Sequence, residues 1–329
     1  MLNNRSLNNA KKAKNNEFYT QLSDVEKELK HYEDFFNGKK ILCNCNDDKW
    51  SAFFKYFSMN FEHLGLKQLV CVSYNENGHG KKYTYNSNME FNETELNDNG
   101  SFSSDECVEL LKDCDVVVTN PPFSLFRDFV ALLYQYEKKF LIIGNGNAVT
   151  YKDIFPLIKD NKMWWGFDCL RWFIDGENSS ELVEGARSRW FTNIPHDKRN
   201  QPLDLYKKYN AEEYPKYDNY DAINVNKTSD IPMDWSGVIG VPITFLDKYC
   251  PTQFEIVALG APNGNFIPNK EYTNPQMHLQ NGKVSNGNVI NSELVISYET
   301  KPTKGTYYTS DNSKYLVAPY ARILIKKIS

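Results

Sequence analysis

The run Asp115-Val-Val-Val-Thr119, followed at once by Asn120-Pro121-Pro122-Phe123, constrains this chain more than any other. Three valines and a threonine are β-branched, and they fit a buried extended strand. Two consecutive prolines then remove two backbone donors and stiffen the turn. Pro121 also restricts Asn120 to extended geometry. The chain must therefore leave this strand through a rigid loop at its carboxyl end. In open α/β sheets that edge is where ligands bind.

The flanking pattern makes the strand one of a series. Apolar runs at 39–43, 69–73 and 139–144 read as further strands. Helical patterns fall at 24–36, 50–61, 105–111, 125–136 and 151–160. The first has Ser23 as its expected cap and Glu26 as the capping-box partner. Tyr83 and Tyr85 alternate in a polar stretch that suits a hairpin. Two Trp- and Phe-rich segments, 163–175 and 187–193, read as edge strands. Alternation of strand and helix predicts an α/β fold with a doubly wound sheet. Between 195 and 220 the composition shifts to Lys, Asn, Asp, Tyr and Pro, and short strands follow. A C-terminal mixed, β-rich region is expected there.

With 329 residues, 41% of them hydrophobic, the chain can bury one large core or a core plus a smaller one. No run approaches the roughly 18 apolar residues of a membrane span, and the N-terminus lacks the apolar segment of a signal peptide. The expectation is a cytoplasmic protein. Seven scattered cysteines without a C-x-x-C pair, and five dispersed histidines, predict neither a disulfide framework nor a metal site. The net charge of −4 argues against a uniformly basic nucleic-acid binder. Locally the balance reverses, because Arg5, Lys11, Lys12 and Lys14 have no acid among the first 16 residues.

A side-chain carbonyl at Asn120 beside a backbone carbonyl offers two acceptors, which match the two N–H bonds of an exocyclic amine. Phe123 offers a flat face to a base. Asn-Pro-Pro-Phe resembles the (N/D/S)-P-P-(Y/F/W) pattern of amino-group methyltransferases, in the version used on adenine N6. About a hundred residues upstream lies Glu17-Phe18-Tyr19-Thr20-Gln21, similar to the segment that precedes the first strand in such enzymes. The Cys43-Asn44-Cys45 turn with Asp47, Met163-Trp-Trp-Gly-Phe167, and Ile239-Gly-Val-Pro-Ile-Thr-Phe-Leu246 extend the likeness over most of the chain. Together they resemble the EcoRI-type adenine-specific DNA methyltransferases.

That resemblance implies a Rossmann-like methyltransferase sheet, S-adenosylmethionine as cofactor, and double-stranded DNA as partner. It assigns Asn120, Pro121, Pro122 and Phe123 to catalysis, and Phe18, Tyr19, Thr20, Asn44, Asp47, Tyr74, Ser101 and Phe102 to the cofactor. The first turn departs from the superfamily's Gly-rich F-x-G-x-G sequence, since residues 44–48 contain no glycine. Lys11, Lys12 and Lys14 read as a phosphate-contacting arm. Arg171, Arg187 and Arg189, which flank Trp172 and Trp190, read as a DNA surface, with exposed cations on packed edge strands as the plain alternative. The organisation expected is a basic arm (1–16), a catalytic domain (17–199) and a target-recognition region (200–329), in a monomer without an obligatory protein partner. Rival readings are methylation of RNA adenine, of cytosine N4 or of a protein glutamine, and a catalytically silent DNA-binding module.

Overall fold

The computed structural model describes residues 20–45, 47–88, 90–170, 172–174, 182–184, 188–262, 264–310 and 314–328. Two compact units divide the chain. Unit 1 comprises Met1–Gly146 and Met163–Asp197, and unit 2 comprises Asn147–Lys162 and Lys198–Ser329.

Unit 1 is built on an eight-stranded mixed sheet. Its strands are β1 (Lys40–Cys43), β2 (Gln68–Ser73), β3 (Lys81–Asn86), β4 (Phe91–Glu95), β5 (Val116–Thr119), β6 (Lys139–Asn145), β7 (Trp164–Cys169) and, after a separate hairpin of β8 (Trp172–Ile174) with β9 (Leu182–Glu184), β10 (Ser188–Thr192). The order is β4-β3-β2-β1-β5-β6-β10-β7. The centre, β2-β1-β5-β6, is parallel. Both margins are antiparallel: β3 and β4 form the hairpin carrying Tyr83 and Tyr85, and β10 slots between β6 and β7. This sheet is therefore mixed, in an α/β arrangement, with its parallel pairing confined to the middle strands.

Those central strands are parallel because helices return the chain each time: Ala52–Met59 after β1, Asp105–Asp113 before β5, Phe126–Gln135 between β5 and β6. Ser51 and Ser104 cap the first two through their hydroxyls. Apolar residues of the first helix (Phe53, Phe54, Tyr56, Phe57) close one face of the sheet against Ile41, Leu69, Val116, Leu141 and Trp190.

The N-terminal helix differs from expectation. It begins at Leu22, two residues earlier than predicted, behind an extended Gln21 and without a side-chain cap. Ser23 lies inside the first turn, so Ser23 and Glu26 form no capping box. The helix tightens to a 3-10 turn at Lys30–Tyr32 before a last α turn, Glu33–Phe36. Tertiary bonds fix this geometry: Glu28, fully buried, accepts from Tyr32 Oη at 2.8 Å and from the amides of Phe167 and Asp168 at 2.7 and 2.6 Å. It thereby supplies acceptors to an edge strand that has none on that side. Burial, partly offset by these donors, pushes the Glu28 carboxyl up to about 7.

Unit 2 is β-rich. A four-stranded sheet, β11-β12-β19-β13, joins β11 (Ala222–Asn224), β12 (Val238–Pro242), β13 (Phe254–Gly260) and β19 (Arg322–Lys327). Between β13 and β19 the chain makes a second sheet of five three-residue strands: β14 (Gln276–His278), β15 (Val284–Asn286), β16 (Ile296–Tyr298), β17 (Tyr307–Thr309) and β18 (Tyr315–Val317). The helix expected at 151–160 is a short one, Phe155–Lys159, preceded by a 3-10 turn. It packs beside β13 and so belongs to unit 2, not to the sheet that β6 ends.

Candidate active site

Because β2, β1, β5 and β6 run parallel, their carboxyl ends at Ser73, Cys43, Thr119 and Asn145 share one edge of the sheet. The loops leaving those ends hold most of the described residues singled out from sequence. Pro121 is buried, Pro122 is exposed, and Phe123 is half-buried against the core of unit 1. A 3-10 turn, Phe123–Leu125, then leads into the helix behind.

Asn120 is tied from the N-terminal side. Its Nδ2 donates to Thr20 Oγ1 at 3.4 Å, across a separation of 100 residues, and Thr20 is buried. An amide whose nitrogen end faces a hydroxyl acceptor turns its oxygen end the opposite way. Thr20, expected at the cofactor, thus meets Asn120.

The neighbouring residue is tied from the other side. Thr119, fully buried, donates its hydroxyl to Asp47 Oδ2 at 2.5 Å, and Asp47 N donates to Val72 O at 2.9 Å. Burial pushes the Asp47 carboxyl up to about 7, while hydrogen bonds from Thr119, the Cys45 amide and Ser51 pull it back. The sequence reading missed Thr119. A threonine closing a valine run is ordinary strand composition, and only the fold brings it to Asp47.

Asn44 lies in the same first turn, 1% exposed. Its Oδ1 accepts weakly from Cys45 Sγ at 3.8 Å, and its Nδ2 is buried without a hydrogen-bond partner. A buried donor of this kind carries a desolvation cost that a bound polar group would offset. Beyond β2 the chain doubles back over the end of that strand. Asn75 N donates to Asn99 O at 2.9 Å, and Gly80 N to Asp98 O at 2.8 Å. Gly100 has φ +76°, and a Cβ there would strike the Ser73 carbonyl, so only glycine lets the loop press so closely. Ser101 and Phe102 follow. The Phe102 ring meets Phe129 edge-on at 5.0 Å, and Tyr74 stands exposed beside this loop.

At the far margin Arg189 stacks over the Trp165 ring at 4.8 Å, and both sit on paired strands. Ser188, opposite Asn145 at this edge, has a buried hydroxyl without a partner, another polar group that sequence reading did not select. Lys11, Lys12, Lys14, Phe18, Tyr19, Arg171 and Arg187 lie outside the described residues.

The site therefore joins Thr20, Asn44, Asp47, Thr119 and Asn120 by direct bonds or by adjacency in one turn, with a glycine-cradled loop alongside. A family model described as "Adenine-specific methyltransferase EcoRI" matches residues 6–328 of the chain. Among curated proteins, the Type II methyltransferase M.EcoRI of Escherichia coli is 45% identical over 289 aligned residues, covering 77% of this chain and 89% of the relative. M.MgeORF184P of Mycoplasma genitalium is 42% identical over 301, covering 85% and 94%. M.MpnI of Mycoplasma pneumoniae is 40% identical over 299, covering 85% and 93%. No solved structure matches significantly.

Proposed function

The chain belongs to the EcoRI family of adenine-specific methyltransferases, and from that premise we propose how its sheet edge carries the reaction. The protein is a site-specific DNA adenine methyltransferase that places a methyl group on N6. That reading displaces RNA, cytosine N4, a protein amide and a silent module. The parallel centre with β10 inserted antiparallel is read as a Rossmann-like methyltransferase sheet. The methyl donor is S-adenosylmethionine, whose sulfonium methyl is the transferred group. Asn44 and Asp47 would hold its methionine part, Tyr74 its ribose, and Ser101 and Phe102 its adenine. The buried, unpartnered Asn44 Nδ2 and the glycine-permitted loop at Gly100 fit such a guest.

Adenine N6 is inaccessible inside a duplex, so the base must be flipped out. Asn120 Oδ1 and the Pro121 carbonyl accept from the two amino N–H bonds, and Phe123 stacks on the ring. As N6 attacks, positive charge develops on nitrogen, and fixed acceptors stabilise it without reorganising. The amine's proton then leaves to solvent. Pre-paid alignment supplies most of the acceleration. Lys11, Lys12, Lys14, Arg171, Arg187 and Arg189 contribute phosphate contacts in this scheme, and unit 2 selects the target sequence.

The observation that carries the reading is the orientation of the Asn120 amide by Thr20. Asn120→Ala is expected to lower single-turnover methylation by about a hundredfold or more, with duplex affinity little changed because phosphate contacts dominate it. Thr20→Val is expected to cost about tenfold in the same rate, and Thr20→Ser to restore most of it. Near-normal turnover in Asn120→Ala would sink the amine-binding role.

A further inference from the structure

One end of the four-stranded sheet in unit 2 is built around a buried arginine. Arg322, the first residue of β19, pairs with Pro242 of β12 on one side and Gly260 of β13 on the other. It is only 8% exposed. Its Nε donates to Asn224 Oδ1 at 3.1 Å, Nη2 to Asn226 Oδ1 at 3.0 Å, and Nη1 to Tyr320 O at 3.2 Å. Every acceptor is neutral, and among the described residues no carboxylate forms an ion pair with it. Burying a charge without a counter-ion is costly, and a guanidinium cannot escape by losing its proton. The end of this sheet therefore carries standing positive potential.

The groups that Arg322 holds face outward. Asn226 is exposed and takes two donors on its Oδ1, from Arg322 and from Asn224 Nδ2 at 3.1 Å. Its own Nδ2 is consequently turned away from the network. Lys227 follows, exposed and with no ion pair among the described residues. Tyr320, whose carbonyl Arg322 grips, is 90% exposed on the turn between β18 and β19. A large aromatic displayed that fully on a pinned turn has no packing purpose within unit 2.

The Ile239–Leu246 segment completes the arrangement. Gly240 lies under the Tyr217 ring, where any Cβ would collide with the phenol. That clearance lets Tyr217 Oη reach Asn224 Oδ1 at 2.9 Å, so the glycine serves the same network.

We propose that this sheet end is a DNA-contacting edge, on which Tyr320, Asn226 Nδ2 and the adjacent Lys227 meet the duplex, with Arg322 holding Asn226 and the Tyr320 turn in place. Outward donors, a free cation and a buried uncompensated charge complement a polyanion that presents acceptors in its grooves and along its backbone. The proposal rests on DNA being the substrate and is independent of the roles given to Asn120 and Thr20.

The test uses the full chain and two short fluorescent duplexes, one with the target site mapped by methylation-sensitive sequencing and one without it. Tyr320→Ala is expected to weaken binding to the target duplex by about tenfold or more. Lys227→Ala is expected to reduce the slope of log affinity against log salt by about one. Both side chains are exposed, so S-adenosylmethionine affinity and the thermal midpoint should stay at wild-type values. Arg322→Met should reproduce the loss of binding with a lowered midpoint. If Tyr320→Ala and Lys227→Ala keep wild-type affinity, salt slope and choice of methylated site, the edge does not touch DNA. Failure of Asn120→Ala to slow methylation would leave this result intact.

Discussion

The two units bury charge of opposite sign. Unit 1 buries Glu28 and Asp47, and unit 2 buries Arg322. Neither acid and not the base has an oppositely charged partner among the described residues. The carboxylates are held by backbone amides and hydroxyls, the guanidinium by amide oxygens and a carbonyl. The difference lies in what each can do about its desolvation. An acid takes up a proton, and both carboxyls rise to about 7. Burial also lowers the Arg322 pKa, but a guanidinium starts so basic that the group stays charged in ordinary buffers. Unit 1 thus has adjustable protonation beside the proposed reaction edge, whereas unit 2 has a permanent cation suited to the polyanion proposed to contact it.

Removing a buried acid should have the largest effect. Glu28→Ala leaves the amides of Phe167 and Asp168 and the Tyr32 hydroxyl without their acceptor. The expected loss is about 3 kcal/mol or more of unfolding free energy in urea. Glu28→Gln should recover part, since one oxygen still accepts. A loss within about 0.5 kcal/mol of wild type would show that the carboxylate does not tie the N-terminal helix to β7.

A change at the unit 2 network should be smaller and should separate the units. Gly240→Ala forces Tyr217 off its path, at a cost of about 1–3 kcal/mol. It should lower duplex affinity and leave donor affinity alone. Loss of donor affinity instead would break the division of labour proposed for the units.

The gentlest contrast is in pH. Both folded carboxyls keep their protons to about 7, while their ordinary values are 3.8 for Asp47 and 4.5 for Glu28. Between those limits the unfolded chain binds fewer protons than the folded one, so stability falls as pH rises and levels off above about 7. The thermal midpoint of the wild type should decline over that window, and Asp47→Asn should flatten the decline. Arg322→Met should leave the slope unchanged, because arginine does not titrate there. An equal slope in wild type and Asp47→Asn would remove Asp47 from the linkage.

Local sequence determined the parts that depend on neighbours in the chain. The valine run ended by prolines became β5 and its rigid loop. The Tyr83 and Tyr85 alternation became a hairpin, and the Trp-rich segments became strands of the far margin, although only β7 lies at the edge and β10 is paired on both sides. Period and turn chemistry act over a few residues, so these were legible. Tertiary structure decided whatever required two distant segments to meet. It placed β10 between β6 and β7, moved the helix Phe155–Lys159 into unit 2, and started the first helix at Leu22 instead of behind a Ser23 cap. It also decided that Thr119 would hold Asp47, that Thr20 would face Asn120, and that Arg322 would gather Asn224, Asn226 and Tyr320. Those bonds span about 70 to 100 residues except within the Tyr320 turn. No local preference encodes such a bond, because it exists only once the sheets have fixed which strand ends lie side by side.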